Sequence, residues 1–272
     1  MDKKPVHSIF FSPTGTTRTV VQSVCRGTGK KPGLEIDLKE PVGGPLFFAV
    51  DDPVVIGVPV YGGRLPRLAV ERVASVQGSE TPAIAVVVYG NRAYDDALLE
   101  LSDLCTKQGF RVIGAGAFIG KHSFSSPDHP IAANRPDEQD IRQAEQFGRQ
   151  INSLLSQTDA IDSFTLPKIP GNRPYKPEMT PVGAAAATDP AHCTGCGQCA
   201  AHCPAGAIHI QNGTVSTNSD LCIWCAACVQ ACPNGARTVT LPKIHEIAER
   251  LYKTCQTRRE PEWFPAQQGA SK

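Results

Sequence analysis

Short apolar runs alternate with amphipathic stretches over the first 155 residues. Val6 to Phe11 is a short, mainly apolar run bounded by Ser12-Pro13 and a Gly-Thr turn, which predicts a buried parallel strand. Thr17 to Arg26 has helical spacing, with Val20, Val21 and Val24 on one side. Gly27 to Gly33 reads as a loop, and Leu34 to Leu38 alternates as a strand does. Pro53 to Val58 is apolar throughout and predicts a third strand. Leu65 to Val76 reads as a helix, with Leu68, Val73 and Val76 toward the sheet. Ala83 to Tyr89 is the most apolar run and predicts a central strand. Asp95 to Gln108 predicts an amphipathic helix stopped by Gly109, a residue suited to the left-handed turn after a helix. Arg111 to Ile119 predicts the fifth strand. Pro136 to Leu155 predicts a long helix, with Asp137 and Glu138 suited to the positive end of its dipole. Strands alternating with helices predict a doubly wound α/β domain, and five parallel strands suit the order 2-1-3-4-5.

The pattern then changes. Thr165 to Gly183 carries Pro167, Pro170, Pro174, Pro177 and Pro181 with little apolar periodicity. It reads as a stiff linker or as a strap packed on a surface. Cys203-Pro-Ala-Gly-Ala and Cys232-Pro-Asn-Gly-Ala form an internal repeat. Each half should carry a small hairpin strand, near His209 and near Val239. Arg237 stands where the first half has Ile208, so the chain is expected to be less buried there. Ile244 to Tyr252 predicts a helix, and the tail beyond Thr257 is expected to be loose. The expected units are residues 1–160, a proline-rich linker at 161–183, a small α+β domain at 184–241, and a helix and tail at 242–272.

Composition changes this picture little. The 272 residues suit one large domain or two smaller ones, and a net charge of +1 gives no support to nucleic-acid binding. No apolar run is long enough to predict a membrane span. Met1 to Pro5 is charged and leads straight into a strand pattern, so the expected location is cytoplasmic.

The cysteines change it most. Cys193, Cys196, Cys199 and Cys203 fall in a C-x2-C-x2-C-x3-C run followed by Pro204, and Cys222, Cys225, Cys228 and Cys232 repeat it before Pro233. Four iron corners of a cubane each want one soft thiolate, and cysteines three apart can wrap a loop around three of them. Tetrahedral zinc would more naturally use separated C-x2-C pairs, and disulfides would need an oxidising compartment. The spacing resembles that of bacterial ferredoxins with two 4Fe-4S clusters. That resemblance implies crossed ligation: Cys193, Cys196, Cys199 and Cys232 for one cluster, and Cys222, Cys225, Cys228 and Cys203 for the other. Trp224, between two of these ligands, would shield a cluster from water or simply pack. Cys25, Cys105 and Cys255 carry no expected chemistry.

The first strand ends in Ser12-Pro13-Thr14-Gly15-Thr16-Thr17. Its hydroxyls, its backbone N–H groups and the helix N-terminus would face an anion. With no lysine it is not a Walker A loop. Pro59-Val60-Tyr61-Gly62-Gly63-Arg64-Leu65-Pro66 follows the third strand, and Tyr89-Gly90-Asn91-Arg92-Ala93-Tyr94-Asp95 follows the fourth. The S-x-T-G-x-T turn at Ser12, Thr14, Gly15 and Thr17, with these two loops, resembles the flavodoxins. The resemblance implies FMN, its phosphate on Ser12, Thr14, Thr16 and Thr17 with Gly15 allowing close approach. Its ring would lie against Pro59, Val60, Gly62, Gly63, Tyr89, Gly90, Asn91 and Asp95, with Tyr61 or Tyr94 stacked on it. Arg64 or Arg92 would stand near its pyrimidine end. The stretch from Ala117 to Phe124 extends the likeness and places His122 near the flavin.

Together, Val6 to about Val239 is similar to bacterial and archaeal flavodoxin-domain 4Fe-4S proteins, flavodoxin–ferredoxin fusions. The resemblance implies low-potential electron transfer between two 4Fe-4S clusters and FMN, then on to a redox protein such as a ferredoxin or an oxidoreductase. An alternative is a flavin-dependent reductase of a small molecule, fed through the ferredoxin domain, with His122 or Tyr94 as proton donor. A third is a cluster-based sensor or assembly partner. The sequence leaves open whether flavin and cluster meet within one chain or across a homodimer.

Overall fold

A computed structural model describes residues 4–156, 164–166, 168–178, 185–239 and 242–268. The chain-order elements of the first part are β1 (Val6–Phe10), α1 (Thr16–Gly27), β2 (Pro32–Asp37), β3 (Leu46–Phe48), β4 (Val54–Pro59), α2 (Arg67–Val73) and β5 (Val76–Gly78). They continue with β6 (Thr81–Tyr89), α3 (Ala97–Lys107), β7 (Phe110–Ile119) and α4 (Glu138–Leu155). Strands β2, β1, β4, β6 and β7 lie side by side and parallel. Among these five the spatial order is second, first, third, fourth, fifth. Strands β4 and β6 are buried along their whole length, as their unbroken apolar runs require of parallel strands covered on both faces. Val20, Val21 and Val24 of α1 pack with Phe147 and Ile151 of α4 on one face, while Leu98 and Leu101 of α3 belong to the core on the other.

Local signals explain most boundaries. Asp137 caps α4: its side chain accepts from the Asp140 N–H and Asp140 answers from the third helical position, a reciprocal capping box. Helix α3 ends at Lys107 with Gln108 as its C-cap, and Gly109 follows at φ 81°. Helix α2 is shorter than predicted because Val76 leaves it to pair with Leu46, making β3 and β5 a small parallel ladder outside the main sheet. Neither short strand shows a periodicity long enough to read.

The second part contains β8 (Phe164–Thr165), β9 (Ala187–Thr188), α5 (Gln198–Ala201), β10 (Ile208–Gln211), β11 (Thr214–Thr217), α6 (Ala227–Gln230) and β12 (Arg237–Thr238). It ends with α7 (Pro242–Thr254), β13 (Glu262–Pro265) and β14 (Gln267–Gln268). β10 and β11 form the first expected hairpin. Among the described residues the second half forms none of its own: β12 pairs with β9 instead.

Two expectations are overturned. The described part of the tail, to residue 268, is not loose: β13 adds an antiparallel sixth strand to the edge at β7, and β14 pairs with β8. An unpaired β7 edge would expose a row of N–H and C=O groups, and Trp263 stacks over Phe118 with ring centroids 6.4 Å apart. Arg237 is not at a poorly buried point either; it is 3 % exposed.

Residues 168–178 lie on the first domain as a strap. Asp96 accepts from the backbone N–H groups of Asn172 (2.8 Å) and Lys176 (2.7 Å), and Asp103 pairs with Arg173 (2.6 Å). Pro167 and Pro181 of the proline run, and the expected boundaries near 160, 183 and 241, lie outside the described residues. Among the described residues no helix is long and apolar enough to cross a membrane.

Candidate functional site

The carboxyl ends of β1, β4, β6 and β7 open on one cavity of about 360 Å³. Ligands of open α/β sheets bind at such a place, where the strand order reverses. From the first turn, Thr14, Thr16 and Thr17 line it. Gly15 is the N-cap of α1 at φ 87° and an added Cβ would meet nothing within 4 Å. The glycine therefore serves the left-handed turn and not a crowded contact. The first turn of α1 holds no acidic side chain. Three hydroxyl residues at the positive end of a twelve-residue helix fit a phosphate ester. Ser12 departs from its expected part: its Oγ accepts the Arg18 N–H at 3.0 Å and it does not line the cavity.

Around the rest of the cavity stand Pro59, Val60, Tyr61 and Gly62 from the loop after β4, then Tyr89, Gly90 and Arg92 from the end of β6. Gly90 is required by close approach, since an added Cβ would lie 2.2 Å from the His122 ring. His122 lines the cavity and its Nδ1 accepts the Phe124 N–H at 3.0 Å. Burial, with a smaller push from Arg92, takes its pKa down to about 4, so the ring is neutral at pH 7. Burial also holds the Tyr61 phenol well above its ordinary value; Cys225 and Cys222 act the same way, against a hydrogen bond to Ser123.

Several expected ring contacts are turned elsewhere. Tyr94 is buried against Tyr89, and its hydroxyl donates to Glu262 at 2.9 Å. Asn91 holds the tail: its Nδ2 donates to the carbonyls of Cys255 (2.8 Å) and Thr257 (2.9 Å), and its Oδ1 accepts the Arg259 N–H (3.1 Å). Asp95 is paired with Arg92 and Lys176 and fills the space beside Gly63. Arg64 is closed in an ion pair with Glu100 (2.7 Å) and lies over the Tyr175 ring. Asn91 and Tyr94 are spent on β13 and its approach, which the local sequence could not announce.

The cysteines do not sort by run. Cys193, Cys196, Cys199 and Cys232 ring one void, and Cys203, Cys222, Cys225 and Cys228 ring another. Among the described residues no three His, Cys, Asp or Glu side chains converge closely enough to hold a single ion. Each ring instead offers four separate thiols around a space, a donor set that fits a cubane with one iron per corner. Burial pushes the Cys225 thiol up to about 12; a thiol so placed becomes a thiolate beside a metal cation. Burial raises the Cys232 thiol too, but four backbone N–H groups, from Asn234 to Arg237, outweigh it and hold the thiol low.

The two halves of this domain place matching residues in the left-handed region. Gly195 (φ 67°) and Gly197 (φ 80°) stand in the first run, Trp224 (φ 55°) and Ala226 (φ 60°) at the same places in the second. Trp224 holds a conformation that glycine adopts freely and a bulky residue does not. The result is specific: Ile223 and Trp224, between Cys222 and Cys225, line both the second void and the cavity at the sheet. Phe124 borders both as well. Sequence reading missed Phe124, Ile223, Ile247 and Leu251 as cavity residues. The repeat did hold one signal, a tryptophan where the first half has glycine.

A doubly wound sheet with this strand order and a hydroxyl-lined first turn is the flavodoxin-like fold. Residues 186–233 match the family of 4Fe-4S dicluster domains, so the chain is a flavodoxin-like domain joined to a ferredoxin-type 4Fe-4S domain. No curated protein matches the chain. Solved structures similar to it include a flavodoxin from the domain Archaea, at 11 % identity and TM-score 0.36, over 56 % of this chain and 99 % of that one. A flavodoxin of Streptococcus pneumonia TIGR4 matches at 17 % identity and TM-score 0.37, over 55 % and 98 %. Rubredoxin oxygen:oxidoreductase of Desulfovibrio gigas matches at 16 % identity and TM-score 0.39, over 58 % of this chain and 38 % of that one. Strand order and register define the fold.

Proposed function

We propose that this chain is a low-potential electron-transfer iron–sulfur flavoprotein. In this reading FMN binds in the cavity at the sheet, and one 4Fe-4S cluster binds in each cysteine-lined void. Residues 1–160 form the flavin unit, completed by the tail strand, and 184–241 form the cluster unit. Bound FMN supplies one- or two-electron chemistry, and each cluster supplies one electron at a time. A redox protein, such as a ferredoxin or an oxidoreductase, is the partner, and the protein is cytoplasmic.

One observation carries the reading: Ile223 and Trp224 are walls of both the flavin cavity and the second void. Two redox sites that share a wall within one polypeptide are held at high effective concentration for each other. The chain's own residues then have plain tasks. Thr14, Thr16 and Thr17 anchor the phosphate. Tyr61 flanks the ring and also lines a neighbouring cleft with Cys222. Ile247 and Leu251 of α7 close the cavity from the far side. The reductase reading needs a proton donor at the flavin. Of the two expected donors, Tyr94 is turned to Glu262, which favours electron transfer.

Anaerobic purification followed by an EPR- and absorbance-monitored redox titration tests this. The expected result is about eight iron and one FMN per chain, with three redox centres. A protein with iron but no acid-releasable flavin would sink it.

A further inference from the structure

Arg237 is the least expected residue of the cluster domain. Its Nη1 donates to Thr188 Oγ1 at 2.5 Å, and its Nη2 donates to Thr217 Oγ1 at 2.8 Å and lies 3.8 Å from Cys228 Sγ. Among the described residues its buried Nε has no hydrogen-bond partner. The residue is 3 % exposed, and among the described residues none of its hydrogen-bond partners is a carboxylate. The same residue lines the void ringed by Cys193, Cys196, Cys199 and Cys232, while Cys228 belongs to the other ring. Arg237 therefore borders both thiol rings.

A buried cation without a counter-ion is strongly disfavoured. Eight thiolates and their clusters bring negative charge to its two sides. Positive charge and hydrogen bonds at cluster sulfur raise the reduction potential, since they favour the more negative reduced state. We propose that Arg237 is the shared counter-charge of the two cluster sites and raises the reduction potential of both. The proposal rests on the reading that each void holds a 4Fe-4S cluster. The bland role, a clamp tying β9 to β11 through two threonines, predicts a stability effect alone.

The test uses the full-length protein, prepared without air, as wild type, Arg237→Lys, Arg237→Gln and Arg237→Met. Iron is counted first. A wild-type count far from about eight per chain rejects the two-cluster reading itself, and with it the premise. With that count in place, midpoint potentials are read by EPR. Arg237→Gln and Arg237→Met are expected to lower both midpoints by about tenfold in the reduction equilibrium, about 59 mV for one electron. Arg237→Lys keeps the charge and is expected to stay within about threefold of wild type. Unchanged midpoints in Arg237→Gln, or a fall in Arg237→Lys as large as in Arg237→Gln, overturn the proposal. If the neutral variants lose their clusters, wild-type protein labelled with guanidino-15N arginine is reduced and read by pulsed EPR. A 15N coupling to a reduced cluster is expected, and its absence at both centres overturns the proposal.

Discussion

At the scale of single residues, the site is decided by what each side chain is already committed to. His122 and Arg92 face the cavity, whereas Tyr94 and Asn91, close to them in sequence, hold the tail. His122 makes a pH prediction. Its pKa is about 4 in the fold against an ordinary 6.5, so between these values the unfolded chain binds more protons. Stability is full above pH 6.5 and falls as the pH drops toward 4. The loss reaches on the order of 3 kcal/mol by pH 4. In urea denaturation at a series of pH values, His122→Gln is expected to lose that part of the acid dependence. A His122→Gln curve parallel to wild type between pH 7 and 4 would contradict the burial argument.

At the scale of elements, the long periodic segments were legible and the short ones were not. Strands β4 and β6 read themselves from unbroken apolar runs, and α4 from its acidic first turn and its spacing. β3, β5, β12 and β13 are two to four residues long, and such lengths carry no period. Their state is set by a partner strand. β13 shows this best: its ladder to β7 pairs Trp263 with Gly116 and Phe264 with Ala115, across more than a hundred residues of chain. Trp263→Ala removes a half-buried ring from Phe118 and Phe147, and should destabilise the first domain by about 2 kcal/mol in urea titration. No measurable loss would mean the sixth strand adds nothing to the sheet.

At the scale of the molecule, the sheet cavity and one of the two thiol rings share a wall, Ile223 and Trp224. The ring nearest the sheet cavity is the one that contains Cys203 from the first run. Cys203→Ala is therefore expected to halve the iron, from about eight to about four per chain. It should remove the centre beside the flavin cavity and leave FMN content unchanged. Loss of the centre built on Cys193, Cys196 and Cys199 instead would refute the crossed grouping. The strap at 168–178 and the tail at 258–265 both fasten on the flavodoxin-like half, so the cluster domain is flanked by anchored chain on either side.

The order of the two cysteine runs and of the hydroxyl-rich turn along the chain was readable from sequence alone, because each is a matter of local spacing and residue type. What surrounds them was not. The burial of Arg237, the diversion of Tyr94 and Asn91 to the tail, and the common wall at Trp224 depend on contacts between distant segments. Local patterns carry no record of such contacts, and only the packed chain decides them.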